Sequence, residues 1–247
     1  VAVGDLTGDG VDEIIVAPGR SRAPEVRVFS QTGVELTQYR TLAYAAKGYD
    51  RAAVFAADKD DRGAPFTSQS ESFIAGLPDG WSVTRAHIGT IGKTAARTAL
   101  IDAMNAGTAL TGFVGHSSLT TWSFEKLFSA TDAAALKNAG KPTVVTQWGC
   151  WNTYYVSPAA DTMAHKLLLS GDRGAAAVLG SSTLTLSSSE ALLGALVTPR
   201  LTAPGMRIGD AILEAKRELA ESHTGLVDVQ LGWNLLGDPA LVVDPAD

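Results

Sequence analysis

Apolar runs alternate with amphipathic stretches along most of the chain. Several runs are continuously apolar, which is typical of strands that are covered by helices on both faces. The predicted strands are 52–57, 82–88, 109–114, 143–146, 175–179 and 240–243. Between them, apolar residues at helical spacing and capping signals predict helices over 67–77, 93–105, 132–138, 161–169, 189–197 and 208–220. This alternation predicts an α/β fold with crossover helices.

The first 36 residues have a different pattern. Short apolar segments, Ile14–Ala17 and Val26–Phe29, are separated by glycine-rich turns, as in β structure. We therefore predict two parts, a β segment over residues 1–36 and an α/β domain over residues 41–247. Because the chain begins at Val1 and not at Met, we expect a mature form or a fragment of a longer protein.

A calcium-loop pattern lies within the first part. The predicted ligands are Asp5, Thr7, Asp9, Glu13 and the carbonyl oxygen of Val11. Calcium prefers hard oxygen ligands, and short polar residues at alternating positions can converge on one ion. A solvated turn between two strands is the alternative interpretation, because the pattern lacks the glutamate that closes an EF-hand loop. The pattern predicts a structural Ca²⁺ and no catalytic metal.

The same segment resembles an FG-GAP repeat of integrin-like β-propellers. The resemblance rests on GDLTGDGVDEIIVAPG, which is followed by VRVFSQTG. It implies one propeller blade that carries a calcium loop, although Thr7 stands where the commoner pattern has Asn or Asp. Because one blade cannot close a propeller, it also implies either further blades upstream or a lone adapter.

Composition and charge narrow the function classes. The chain has 247 residues, of which 45% are hydrophobic and 19% charged, so it is not disordered or collagen-like. The formal net charge is −6 and the basic residues are scattered, so we expect neither nucleic acid nor an anionic membrane surface as a partner. No apolar run approaches the length of a membrane span, so no membrane insertion is expected. The oligomeric state does not follow from the sequence.

The single cysteine of the chain and one histidine follow successive predicted strands. Cys150 comes after strand 143–146 and its flank, and His116 comes after strand 109–114. Because the carboxyl ends of parallel strands meet at one edge of a sheet, these two side chains are expected at the same edge. Their separation of 34 residues (150 − 116) is long enough for one crossover connection.

This pair suits thiol catalysis. Thiols are only a few per cent ionised at neutral pH, so a catalytic cysteine needs a basic or cationic neighbour. His116 can accept the thiol proton and later protonate a leaving amine, and the backbone N–H groups of Cys150 and Ser117 are the candidate oxyanion donors. The alternative is that Cys150 is a buried hydrophobe and His116 is structural.

Five ordered blocks resemble the gingipain family of cysteine peptidases, which are bacterial caspase-like enzymes. The blocks are VFAADKDD, ALTGFVGHSSLTTW, KPTVVTQWGCWN, RGAAAVLGSS and NLLGDPAL. The resemblance implies a caspase-like three-layer α/β/α sandwich with a mostly parallel sheet, and a secreted or cell-surface location. It matches His116 to the catalytic histidine and Cys150 to the nucleophile. Ser117 replaces the glycine that usually follows the histidine.

Three further residues are candidates for the substrate pocket. Asp58 follows strand 52–57, where caspase-like enzymes often carry an acidic residue. It would orient His116, bind a basic substrate side chain, or be a solvated loop carboxylate. Trp148 and Trp151 flank Cys150, and they either form one wall of the cleft or pack beneath it. The resemblance does not by itself transfer a preference for Arg or Lys.

We therefore predict a cysteine endopeptidase that acts on proteins or peptides through a thioester. Two alternatives stay open. One is a catalytically degenerate domain that serves as an adhesion or binding module, for which the departure at Ser117 is the argument. The other is a thiol hydrolase that acts on small amides and not on peptides.

Overall fold

The structure is a computed structural model that describes residues 44–45, 49–155, 161–170 and 172–245, and the backbone of four short strands before them. These are β1 (Ala2–Gly4), β2 (Glu13–Val16), β3 (Arg27–Phe29) and β4 (Glu35–Thr37). They form an antiparallel sheet in chain order, so the prediction of β structure in this segment is confirmed. The predicted calcium ligands Asp5, Thr7, Asp9 and Val11 lie outside the described residues, and only the backbone of Glu13 is described.

A six-stranded, mostly parallel sheet forms the centre of the α/β part. The strands after β4 are β5 (Ala52–Ala57), β6 (Ser82–His87), β7 (Leu110–Val114), β8 (Thr121–Trp122), β9 (Phe128–Ser129), β10 (Thr143–Trp148), β11 (Ala175–Ser181) and β12 (Trp233–Gly237). The order in the sheet is β12-β11-β10-β7-β5-β6, and β12 alone runs antiparallel to its neighbour. Strands β8 and β9 form a separate two-stranded hairpin. The central strands are fully buried, as their continuous apolar runs predict.

Helices cover both faces of this sheet. The described helices are α1 (Phe66–Ala75), α2 (Ile88–Ile91), α3 (Lys93–Ala106), α4 (Ala130–Ala134), α5 (Met163–Leu168), α6 (Ser187–Leu201), α7 (Ile208–Ser222) and α8 (Val227–Gly232). One core cluster joins Phe55 of β5 to α1, α6 and α7, and the other joins Val54 to α3, α4 and α5. Adjacent residues of one strand thus enter different cores. The predicted three-layer α/β/α sandwich is confirmed.

The predicted strand over 240–243 is wrong. The last strand of the sheet is Trp233–Gly237, and Asp238 and Pro239 follow it. Val242 forms an isolated antiparallel bridge with Arg207 and pairs with no strand of the six-stranded sheet. The apolar run instead packs against the start of α7, where the Ile208 N–H donates to the Leu241 carbonyl oxygen at 2.8 Å.

The predicted helix over 132–138 is shorter and begins earlier. Helix α4 covers Ala130–Ala134, and Ser129 caps it in a reciprocal capping box with Asp132. The short helices α2 and α8 and the β8–β9 hairpin were not predicted, because segments of this length carry too few periodic positions to stand out.

Candidate active site

The pairing of β7 with β10 brings the two candidate segments to one edge of the sheet. The strands are parallel neighbours, and Val114 lies opposite Trp148 at their carboxyl ends. His116 and Cys150 each follow two residues later. The predicted adjacency of their strands is confirmed, and it results from one crossover that contains the β8–β9 hairpin and α4.

Two glycines allow the loops after these strands to cross closely. A Cβ atom on Gly149 would lie 2.3 Å from the Gly115 carbonyl oxygen and 2.5 Å from Ser117 Oγ. Gly115 has a φ of +154°, and a Cβ atom there would lie 2.4 Å from the Cβ of Asp58. Both positions therefore require glycine. The Gly115 N–H also donates to the Trp148 carbonyl oxygen at 2.9 Å, which joins the two loops through their backbones.

The Ser117 side chain links the two loops a second time. Its hydroxyl donates to the Cys150 carbonyl oxygen at 2.7 Å. Asn152, which is fully buried, donates from Nδ2 to Ser117 Oγ and to the Gly149 carbonyl oxygen, both at 3.1 Å. The Ser117 side chain thus occupies the space between the loops. Among the described residues, the backbone N–H groups of Ser117 and Cys150 have no hydrogen-bond acceptor.

His116 is held by a carboxylate and two aromatic rings. Its Nε2 lies 2.5 Å from Asp61 Oδ2, with the His116 side chain 35% exposed and that of Asp61 47% exposed. The imidazole stacks on Phe124, with ring centroids 4.4 Å apart, and the Phe66 ring meets it edge-on at 5.1 Å. Asp61 was not among the residues predicted for the site. The cluster of aspartates after β5, a strand that pairs with β7, was the signal for it.

Asp58 contacts the surroundings of His116 without pairing with its ring. The residue is only 4% exposed, so the interpretation as a solvated loop carboxylate is wrong. Its Oδ1 accepts the Lys59 N–H at 2.7 Å. Burial raises the pKa of Asp58 above its ordinary value, while the Ser123 side chain, the N–H groups of Lys59 and His116, and the His116 charge oppose that rise.

The Cys150 thiol contacts Thr185, a residue that was not predicted from the sequence. Its Sγ is 3.6 Å from both the carbonyl oxygen and the Oγ1 of Thr185, in the loop after β11. Thr185 Oγ1 in turn donates to Glu190 Oε1 at 2.5 Å. Glu190 lies in the first turn of α6 and is 3% exposed. Burial, helped by the Asp228 charge, raises the pKa of Glu190 to about 7, against the opposing effects of Thr185 and His116.

The two tryptophans beside Cys150 have different environments. Trp148 is fully buried and stacks on Trp233, with ring centroids 5.5 Å apart and 18° between the planes. Of the two alternatives, Trp148 therefore packs beneath the site and is not a wall of a cleft. Trp151 is half-buried with a φ of +61°, and its ring meets Tyr154 edge-on at 5.3 Å.

The described residues hold no cluster of three or more His, Cys, Asp or Glu side chains that would suit a metal ion. In the same part of the chain, no helix is long and apolar enough to cross a membrane.

The fold and the site together define a class, the caspase-like α/β proteins with a thiol and an imidazole in neighbouring loops of the sheet edge. The sequence matches peptidase family C25 over residues 9–244, and the chain belongs to this family of cysteine-type peptidases. The match begins inside the segment for which the sequence predicts a separate β unit. No curated protein sequence matches the chain at a significant level.

Solved gingipain structures share this fold. The chain is similar to the Arg-specific cysteine proteinase gingipain R (RgpB), with a TM-score of 0.66 and 17% identity. It is equally similar to RgpB in the complex of the Porphyromonas gingivalis pro- and mature domains. Both matches cover 83% of this chain but only 49% and 50% of the gingipain chains, so this chain spans about half of their length. A third structure, described as a protease, matches with a TM-score of 0.63.

Proposed function

We propose that the chain is the catalytic part of a cysteine endopeptidase, with Cys150 as nucleophile and His116 as general base and acid. The observation that carries the proposal is the parallel pairing of β7 with β10, which brings their two loops together at one sheet edge. The glycine crossing and the Ser117 hydrogen bond support it, because they fix these loops against each other before substrate arrives.

The environment of His116 suits proton transfer. Asp61 faces Nε2, so the tautomer that donates Nε2–H to this carboxylate leaves Nδ1 free as the base. The imidazole takes the thiol proton, and the thiolate attacks the peptide carbonyl carbon. When the C–N bond breaks, the imidazolium gives its proton to the leaving amine. A water molecule, deprotonated by the same imidazole, then cleaves the thioester and restores the thiol.

The N–H groups of Ser117 and Cys150 are proposed to bind the oxyanion. Neither has an acceptor in the described part of the chain, and unpaired N–H groups at a site are suited to a charge that forms only during the reaction. The Ser117 hydroxyl is occupied with the Cys150 carbonyl oxygen, so the departure from glycine leaves the N–H of residue 117 in place.

Peptide-library digestion with matched variants tests this function. We expect Cys150→Ala to abolish cleavage and His116→Ala to reduce kcat/KM by about 100-fold or more. His223→Ala, a change at an exposed histidine beyond α7, serves as the control and is expected to cleave like the parent. The assignment is wrong if Cys150→Ala digests the library as fast as the parent protein.

The binding-module alternative gives the opposite result in a labelling experiment. A peptidyl acyloxymethyl ketone should modify Cys150 in an active peptidase, and the modification should depend on His116. A degenerate domain would show no selective labelling. A thiol hydrolase of small amides would be labelled by small electrophiles and would turn over amides without cleaving peptides.

Substrates and location follow from the same proposal. We propose proteins or peptides as substrates and a secreted or cell-surface location. Arg specificity belongs to the gingipain R structure, and library profiling of cleavage sites measures the preference of this chain.

The first segment is proposed to be an FG-GAP-like blade with a structural Ca²⁺. Its antiparallel four-stranded sheet in chain order supports this proposal, because propeller blades have four such strands. Calcium should raise the thermal midpoint of the parent protein and leave that of an Asp5→Ala, Asp9→Ala variant unchanged. An equal response of both proteins to calcium contradicts the proposal.

A further inference from the structure

A buried carboxylate lies close to the nucleophile and has no part in the mechanism above. Glu190 is 3% exposed, and its described hydrogen-bond donor is the Thr185 hydroxyl, 2.5 Å from Oε1. Two titratable groups from other elements act on it, His116 from the loop after β7 and Asp228 from α8. Burial of a charged carboxylate costs free energy unless hydrogen bonds or charges compensate for it.

Thr185 connects this carboxylate to the thiol. The hydroxyl has one proton, which is directed to Glu190, so the hydroxyl oxygen faces Cys150 Sγ as an acceptor. The Thr185 carbonyl oxygen is a second acceptor at the same distance of 3.6 Å. Two acceptors around a sulfur atom favour S–H over S⁻, because a thiolate has no proton to donate.

We propose that Glu190 is a positioning residue that acts through Thr185 to control the protonation of Cys150. The charged carboxylate keeps the Thr185 hydroxyl proton turned away from the sulfur and the thiol protonated. When residue 190 is neutral, the hydroxyl turns and donates to the thiolate. No proton passes along this chain of groups, since Glu190 exchanges its proton with solvent and Cys150 gives its own to His116.

Glu190 gains or loses its charge near neutral pH. Its raised pKa of about 7 means that charged and neutral forms both exist near neutral pH. The negative charge also repels a thiolate directly, so the two effects act in the same direction. The role of Cys150 as nucleophile rests on the proposed function, but the protonation of the thiol can be measured without any substrate.

Alkylation by iodoacetamide is the direct test, because only the thiolate reacts and Cys150 is the single cysteine of the chain. Rates are followed by intact mass from pH 5 to 10 for the parent, Glu190→Gln, Thr185→Val, the double variant and Thr185→Ser. We expect Glu190→Gln to react several-fold faster than the parent at pH 8, where Glu190 is mostly charged, and no more than about twofold faster at pH 7, where about half of Glu190 is already neutral. Thr185→Ser, which keeps the hydroxyl, should follow the parent profile, and the double variant should lose most of the gain.

Two results overturn the inference. One is an equal alkylation rate for Glu190→Gln and the parent at all pH values. The other is the full Glu190→Gln gain in the double variant, which would mean direct charge repulsion without Thr185. Near-UV circular dichroism checks that each variant is folded. If Glu190→Gln does not fold, Glu190→Met replaces it with the same expected gain, because Thr185 again lacks a charged acceptor. Failure of peptide cleavage with the expected alkylation pattern would contradict only the proposed function.

Discussion

The Ser117 hydroxyl donates a hydrogen bond to the carbonyl oxygen of Cys150, 2.7 Å away. This bond joins the loop that carries the candidate base to the loop that carries the candidate nucleophile. It lies beside the close crossing of Gly115 and Gly149, so the loops are held by sterics and by hydrogen bonding at neighbouring points. We therefore expect the two loops to respond to mutation as one unit.

Removal of the Ser117 hydroxyl should loosen this unit. We expect Ser117→Ala to lower the free energy of unfolding by about 1 kcal/mol, because the Cys150 carbonyl and Asn152 each lose a partner. Urea unfolding measures the change. Ser68→Ala, at an exposed position of α1, is the control and should stay within about 0.5 kcal/mol of the parent. Equal stabilities of the two variants would argue against a structural role for the Ser117 hydroxyl.

A methyl group at the glycine crossing should be far more damaging. Gly149→Ala places a Cβ atom 2.3 Å from a backbone oxygen, which forces the loops apart. We expect a loss of more than about 2 kcal/mol of unfolding free energy, measured by urea unfolding. Gly89→Ala is the matched control, since its Cβ atom would meet only Thr67 Oγ1 at an ordinary 3.4 Å. A Gly149→Ala protein as stable as Gly89→Ala would show that the loops are not in close contact.

Asp61 should orient the His116 imidazole. Asp61→Asn keeps the size of the side chain but removes the charge at 2.5 Å from Nε2, so we expect kcat/KM for peptide cleavage to fall about tenfold. The kcat/KM of this variant and of the parent is measured across a range of pH values. Asp60→Asn is the control, because Asp60 accepts the Thr67 N–H and does not contact His116. A similar kcat/KM for both variants would exclude this role of Asp61.

Glu190 should make stability depend on pH. Its pKa is about 7 in the folded chain against an ordinary value of 4.5, so the folded state binds more protons between these two pH values. Unfolding free energy therefore falls as pH rises from 4.5 to 7, by a contribution on the order of 2–3 kcal/mol. Glu190→Gln removes that contribution, so its stability relative to the parent should increase across the window. Urea unfolding at several pH values measures both proteins. If the unfolding free energies of the parent and of Glu190→Gln change with pH in parallel, Glu190 is not a buried carboxylate that titrates in this range.

The sheet and the two main loops of the site were predictable from the sequence, because fully buried strands such as β7 and β10 are continuous apolar runs. The strand at Trp233–Gly237 was not, since its half-buried residues produce neither a continuous run nor a clear alternation. Asp61 and Glu190 reach the site through long-range packing, 55 and 40 residues away from His116 and Cys150 (116 − 61 and 190 − 150). No local pattern marks Glu190, because it is an ordinary surface-type residue in its own segment, and the aspartate cluster after β5 does not by itself distinguish Asp61 from its neighbours.

Strands β7 and β10 occupy the third and fourth positions from either end of the six-stranded sheet. Edge strands open first in native-state fluctuations, whereas central strands exchange their amide hydrogens only when the domain unfolds. Fraying of β6 or β12 can therefore proceed without separating the two strands from which the thiol and imidazole loops emerge. Separation of β7 from β10 is thus tied to global unfolding of the domain, and not to the mobility of its edge strands.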